Sequence, residues 1–192
     1  HDIEQHIGED NDSICIIEEY IDGKSLRQYV HDETDTRGYL SVHEICRIGI
    51  ELCCILEYLH GYNGNGILHM DIKPDNIMLD KDGKVKLIDY DNAVEGNAGL
   101  TVESGSPLYA APEQYNREKA VIQSDIYSLG MVILFMVSHG HIVTDENHKL
   151  SEISSRYSSL YHVINKSLHH EWGLRYSLSL IHISEPTRRT PI

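Results

Sequence analysis

Positive charge is in short supply: 16 lysines and arginines stand against 30 aspartates and glutamates, for a net charge of −14 with 13 histidines counted neutral. That balance excludes nucleic acid and anionic lipid as default partners, since an acidic surface draws neither polyanion; a protein substrate with basic residues fits it better. Cysteine is scarce. Cys15, Cys46, Cys53 and Cys54 form no Cys-x-x-Cys pair, which excludes a disulfide scaffold and a thiolate metal site. Three of them are expected on the apolar face of one helix, reduced, as in a cytoplasmic protein. Long apolar runs are also missing. The longest, Met131 to Val137, falls far below the roughly 20 residues needed to cross a bilayer, so a buried core helix is expected there and no membrane segment. No basic, apolar leader opens the chain, although an anchor outside this stretch would not be seen. Histidine is plentiful, but His139-Gly-His141 and His169-His170 lack a second ligand pair at zinc spacing. The single phenylalanine beside 12 tyrosines excludes nothing.

What is present is concentrated between Ile67 and Asp91. The polar residues Asp71, Lys73, Asn76 and Asp89 are separated by two apolar runs, Ile77-Met78-Leu79 and Val85 to Ile88. These runs read as short strands, with Lys81-Asp82-Gly83 as the turn of a hairpin. Such a hairpin sets Asn76 at the start of one strand and Asp89 at the end of the other, so both lie at one end. Two converging oxygen-bearing side chains suit Mg²⁺, which takes few ligands from protein before substrate phosphates complete its shell. One aspartate alone is usually a solvated loop residue or a helix cap. Four polar groups at this spacing are far more specific.

The pattern resembles the catalytic and metal-binding loops of a eukaryotic-type serine/threonine protein kinase, with His69-Met70-Asp71 through Asn76 and then Asp89-Tyr90-Asp91. Gly105-Ser-Pro-Leu-Tyr-Ala-Ala-Pro-Glu113 resembles the end of that family's activation segment. Ser124-Asp125-Ile-Tyr-Ser-Leu-Gly130 is similar to the start of the buried helix whose aspartate ties down the catalytic loop. The resemblance implies an α+β, kinase-like fold: a mainly helical carboxy-terminal lobe with short β-hairpins and a remnant of the amino-terminal sheet. It implies ATP and Mg²⁺ as cofactors and a protein as substrate. Asp71 would orient the acceptor hydroxyl and take its proton, and Lys73 would steady the transferring phosphate. Asn76 and Asp89 would hold metal, the backbone at Glu19 and Ile21 would bond adenine, and Met78 would pack beneath the ring. Lys73 with Ser106 fits the serine/threonine pattern rather than the tyrosine one. Glu113 would be buried and needs a cation, for which Arg175 is the expected partner.

The resemblance divides the chain into a lobe remnant and hinge at 1–23, the helical lobe at 24–177 and a tail at 178–192. The 192 residues are few for a kinase domain. The family's glycine-rich loop, strand lysine and helix glutamate have no counterpart in them, so the chain supplies one side of an ATP site and is expected to be inactive alone. Ser13 to Gly23 reads as a buried strand running into a glycine link. Ser25 to Val30 reads as a short helix, and the acidic Asp32 to Gly38 as a solvated loop. Ser41 with Glu44 reads as a capping box opening a long amphipathic helix. Val121 to Val137 reads as a central buried helix, and Leu160 to Leu168 as a last helix. Glu18 occupies a position that is usually apolar, so it is paired, protonated or turned to solvent. Met70 stands where the family has arginine and Asp91 where it has glycine. These three departures favour a rival reading as a pseudokinase or scaffold. A second rival, a small-molecule phosphotransferase, shares the Asp71 to Asn76 pattern but not the Ala111-Pro-Glu113 signature. Leu178-Ser-Leu-Ile-His-Ile-Ser-Glu-Pro-Thr-Arg188 reads like the translation of a transposase adapter used in sequencing-library preparation, and is set outside fold reasoning as a non-native tail.

Overall fold

The computed structural model describes residues 3–4, 15–16, 18–96, 105–116, 119–141 and 155–177; the adapter-like tail lies outside them. The elements in chain order are β1 (Ile3–Glu4), β2 (Cys15–Ile16), β3 (Gly23–Ser25), α1 (Leu26–Arg37), α2 (Val42–His60), β4 (Ile67–Leu68), β5 (Ile77–Asp80), β6 (Val85–Leu87), β7 (Val94–Glu95), α3 (Pro112–Tyr115), α4 (Ile122–Val137) and α5 (Ser158–Ser167). Helix α4 packs against α2 and α5, α1 against β3 and β5, and the strands pair antiparallel in three small sheets, an α+β architecture. Among the described residues no helix is long and apolar enough to cross a membrane.

Serine caps set both early helices. Ser25 Oγ accepts from Gln28 N, and the Gln28 side chain accepts from Ser25 N; Ser41 and Glu44 make the same reciprocal pair, as expected. The acidic stretch after Val30 is not the loop expected. It stays helical to Arg37 because its carboxylates find partners one turn away, with Arg37 Nε 3.1 Å from the largely covered Glu33 and His31 Nδ1 3.0 Å from the exposed Asp35. Gly38, at φ 77°, ends the helix by donating to Thr34 O. The strand expected from Ser13 to Gly23 is also corrected. Among the described residues it comprises Cys15–Ile16, while Glu18, Glu19 and Tyr20 are exposed, because adjacent carboxylates favour water over a sheet interior.

The core joins α1, α2 and α4 to the three-stranded sheet β3-β5-β6. From α2 it takes Ile45, Ile48, Leu52 and Leu56, each at most 1% exposed and each contributing about 1.5–3 kcal/mol by burial. Cys46 belongs to this core and Cys53 is partly buried against it, its thiol pushed up to about 12 by burial. Cys54 is exposed, so only two of the three helical cysteines lie on the apolar face. Tyr157, fully buried, donates to Leu40 O at 2.8 Å and ties α5 to the loop before α2.

β3 approaches β5 closely because Gly23 has no side chain. A Cβ there would collide with the Leu79 carbonyl oxygen and stand 2.8 Å from Asp80 Cα. Gly23→Ala is expected to destabilise the fold by about 2 kcal/mol through overpacking. A urea-denaturation midpoint unchanged from wild type would show that β3 is dispensable.

Candidate active site

The segment 69–76 is held from three sides. Before it, β4 pairs with β7, Leu68 opposite Val94, and Gly96 N donates to Gly66 O. After it, β5 pairs with β6, and Ile88 N donates to Asn76 O at 2.9 Å. Beneath it, the fully buried carboxylate of Asp125 accepts from His69 N and Met70 N, both at 2.9 Å, and lies 2.7 Å from His60 Nε2. Met70 has φ 64°, a conformation that costs a non-glycine residue on the order of 1–3 kcal/mol. Its N–H is taken by Asp125 and its carbonyl by Gln114 Nε2 at 3.0 Å, so the strain is held at both ends. The Met70 side chain lies in an apolar cluster with Leu68 and Ala120.

Asp71, 5% exposed, accepts four hydrogen bonds from three donors. Lys73 Nζ lies 2.6 Å from Oδ2 and Asn76 Nδ2 3.2 Å from it, Ser106 N lies 3.0 Å from Oδ1, and Asn76 Nδ2 also reaches the Asp71 carbonyl at 3.0 Å. Lys73 Nζ bonds Ser106 Oγ as well, at 2.9 Å. Burial by itself raises the Asp71 carboxyl, but the donors from Lys73 and Ser106 outweigh it and hold the group below the usual aspartate range. The His69 imidazole is pushed down by burial and stays neutral at pH 7. Its Nδ1 accepts from Asp71 N and its Nε2 lies 3.2 Å from Ile88 O, which the Nε2–H tautomer satisfies. The Tyr90 ring tilts against it, centroids 4.9 Å apart.

The hairpin register places Asn76 and Asp89 at one end, as the spacing predicts, with Ile77 opposite Leu87. Asp89 is half-buried at φ 65°. The Asn76 nitrogen is committed to Asp71, so its oxygen is the atom a cation would take. No group of three or more His, Cys, Asp or Glu among the described residues is gathered to hold a metal by itself. An amide oxygen and a carboxylate fit Mg²⁺ completed by phosphate oxygens. Met78 is half-buried between Ser25 and Lys86, alternating with Ile77 and Leu79, which enter the core. Ile21 is half-buried. Glu19 is exposed, its carboxylate 3.3 Å from Lys86 Nζ. Glu18 is turned to solvent, one of the three outcomes expected. On the other side of Lys73 opens a cavity of about 650 Å³, walled by Arg27, Asp75, Ser106, Pro107 and Tyr109.

Glu113 and Arg175 meet as the sequence predicts, 2.7 and 2.9 Å apart in a bidentate pair, both buried. A family profile described as "Protein kinase domain" matches residues 5–184 of the chain. The chain belongs to the protein kinase domain family. Among its relatives, sperm motility kinase 3A of Mus musculus is 36% identical over 132 residues, 65% of this chain and 24% of that protein. MAP kinase kinase MKK1/SSP32 of Saccharomyces cerevisiae is 35% identical over 127 residues, 66% and 24%. "Probable serine/threonine-protein kinase PknB" of Lactococcus lactis subsp. lactis is 33% identical over 143 residues, 72% and 22%. The chain spans about a quarter of the length of these curated relatives. The likeness drawn from Asp71, Asp89 and Ala111-Pro112-Glu113 is thus a shared ancestry, and the mainly helical α+β body is that of a kinase domain.

Four features of this kinase domain escaped the sequence reading. Gln114 bridges Met70 O and Ala111 N; its place directly after Ala111-Pro112-Glu113 was the available signal. His60 joins Asp125 from the last turn of α2. Arg47 donates to Gly83 O and Glu51 accepts from Val85 N, so α2 braces the hairpin. Arg27 forms a double hydrogen bond with Asp75 across 48 positions, both at 2.7 Å. The last three carry no local spacing that marks them.

Proposed function

We propose that the protein containing this domain transfers the γ-phosphoryl group of ATP to serine and threonine hydroxyls of protein substrates. The observation that carries this reading is Ser106, hydrogen-bonded to both Asp71 and Lys73: a hydroxyl-bearing segment docks against the base and the cation together. In this reading Asp71 orients the acceptor hydroxyl and accepts its proton, and Lys73 offsets charge on the phosphoryl oxygens. Asn76 Oδ1 and Asp89 would hold Mg²⁺, the backbone of Glu19 and Ile21 would meet adenine, and Met78 would lie under the ring. When bound, Mg²⁺ and ATP supply the phosphoryl group and the countercharge to its oxygens. The 192 residues contain no glycine-rich phosphate loop with its lysine–glutamate pair. Positioning from that side contributes several kcal/mol, so the chain alone is inactive. The three α2 cysteines, none of them in a disulfide, support a reducing, cytoplasmic setting.

The departures that favoured a scaffold lose force against the geometry. Glu18 and Asp91 are exposed, where water screens their charge, and Met70 is absorbed into an apolar cluster. Incubating the intact protein with labelled ATP, Mg²⁺ and protein substrates tests the assignment. Label on phosphoserine and phosphothreonine is expected; label on aminoglycosides alone, or none, would overturn it.

Met70 also bears on regulation. An arginine at this position carries a charge that a phosphate on the activation segment neutralises, whereas Met70, 1% exposed among Leu68 and Ala120, presents none. Phosphatase treatment of the intact enzyme is therefore expected to change its activity less than about twofold, where a phosphate-gated site loses its ordering interactions. Activity abolished by phosphatase would refute this.

A further inference from the structure

Gln114 is 2% exposed, at the third position of the short helix α3. Its Oε1 accepts from Ala111 N at 2.8 Å, which caps α3 and would by itself explain an amide here. Its Nε2 does something a cap does not need: it donates to Met70 O at 3.0 Å, 44 positions away. That carbonyl belongs to the peptide unit that opens Asp71, and a peptide unit is planar. Fixing the oxygen therefore fixes the Asp71 N–H on the opposite edge, which His69 Nδ1 accepts at 3.4 Å. The direction in which the Asp71 side chain leaves the backbone is set with it.

The same bond closes a ring. Asp71 Oδ1 accepts from Ser106 N, and Ser106 O accepts from Tyr109 N at 3.1 Å and Ala110 N at 3.2 Å. The next residue, Ala111, donates to Gln114, and Gln114 returns to Met70. The segment 105–111 lies directly on this last bond. A Cβ on Gly105, whose φ is 127°, would stand 2.9 Å from Gln114 Nε2 and 3.4 Å from Met70 O, so the absence of a side chain lets the backbone pass that close.

We propose that Gln114 is a positioning residue for Asp71, its Nε2–H making the direction of the catalytic carboxylate depend on the folded state of 105–111. The inference rests on the phosphotransfer reading for what Asp71 does, but not for the contact that holds it.

Gln114→Glu separates the two tasks of the amide. In either protonation state the glutamate keeps an oxygen for Ala111 N. As a carboxylate it has no proton for Met70 O; as the acid it donates again. Burial against a carbonyl favours the acid, so this group titrates above the ordinary glutamate value of about 4.3. The charged groups on the neighbouring segments are already engaged, Asp71 with Lys73, Glu113 with Arg175 and Asp125 with His60.

Kinetics of the intact enzyme is measured from about pH 5.5 to about pH 8.5, well below the melting temperature of each protein. The Glu variant is expected to have a kcat about tenfold below wild type at the alkaline end and within about twofold of it at the acid end, with KM little changed. Gln114→Met, which removes both bonds and adds no charge, is expected to lose about as much with no recovery in acid. Amide hydrogen exchange over 69–76 needs no turnover. At the alkaline end it is expected to be about tenfold faster in the Glu variant than in wild type, with α2 unchanged. A wild type that transfers phosphate while the Glu variant, or the Met variant should the first not fold, matches its kcat within about twofold throughout overturns this inference and keeps phosphotransfer. A loss in the Glu variant that acid does not restore assigns the effect to the buried charge and likewise overturns it. A wild type that transfers no phosphate removes phosphotransfer, and exchange then decides: faster exchange over 69–76 supports the tie, and unchanged exchange overturns it.

Discussion

Asp71→Asn in the intact enzyme is expected to lower kcat for phosphoryl transfer by about a thousandfold, about 4 kcal/mol of barrier, with KM for the protein substrate little changed. The substitution keeps the shape and an oxygen that can still accept from Ser106 N, so the loop 69–76 keeps its path. What it removes is the basic oxygen that Lys73 and Asn76 hold in place. The pH dependence follows from the direction of the shift. Burial alone would raise the Asp71 carboxyl, but the Lys73 and Ser106 donors bring it below the ordinary aspartate value. The group is therefore a carboxylate throughout the neutral range, and its acid limb falls below that ordinary value. Steady-state kinetics across pH 5 to 9 is expected to show no ionisation assignable to Asp71. An Asn variant that keeps more than about a tenth of wild-type kcat would show that proton transfer to this residue does not limit the reaction.

Arg175→Ala is expected to cost about 3–5 kcal/mol of stability, because it leaves the Glu113 carboxylate buried without its countercharge. The arginine has no slack. Nη1 and Nη2 reach Glu113, Nε donates to His169 O, and Nη1 and Nη2 also reach Gln123 O and His170 O. Ser124 Oγ donates to Glu113 Oε1 at 2.8 Å. The pair thus clamps α3 and the first turn of α4 to the segment after α5. Burial pushes the Glu113 carboxyl up, and the Arg175 and Ser124 bonds more than reverse this, so its folded value is depressed. A depressed carboxyl contributes stability that is present above its unfolded pKa and is lost as pH falls through the folded one. Acidification below about pH 4 is therefore expected to lower the wild-type melting temperature more than that of the Arg175→Ala variant. A denaturation series with less than about 1 kcal/mol between wild type and variant would show the ion pair to be incidental. Glu113→Gln with Arg175→Met, which removes both charges, is expected to recover part of the loss.

The site was more legible than its supports. Asp71, Lys73 and Asn76 lie within one loop, and two short apolar runs flank a glycine turn, so local spacing was enough to expect the hairpin and the meeting of these three side chains. The Glu113–Arg175 pair spans 62 positions. It was read through family likeness and through the rule that a buried carboxylate needs a cation, not from spacing. Helix α1 was misread past Val30 because acidity resembles a loop when its partners one turn away are not counted. The exposure of Cys54 beside the partly covered Cys53 depends on the rotation of α2 against the sheet, which adjacent residues cannot reveal.

Order along the chain was enough to bring Asp71, Lys73 and Asn76 into one loop and to set Asn76 and Asp89 at one end of a hairpin, because a loop and a hairpin are local in sequence. Folding in three dimensions decided what surrounds them: Asp125 and Gln114 clamping the strained Met70, and Arg27 and Asp75 pairing on the wall of the cavity beside Lys73. The physical reason is range. Caps and turns are settled within a few residues by hydrogen bonds the backbone makes to its neighbours, whereas the charge a substrate meets depends on groups that packing of the core carries together from 48 or 55 positions apart.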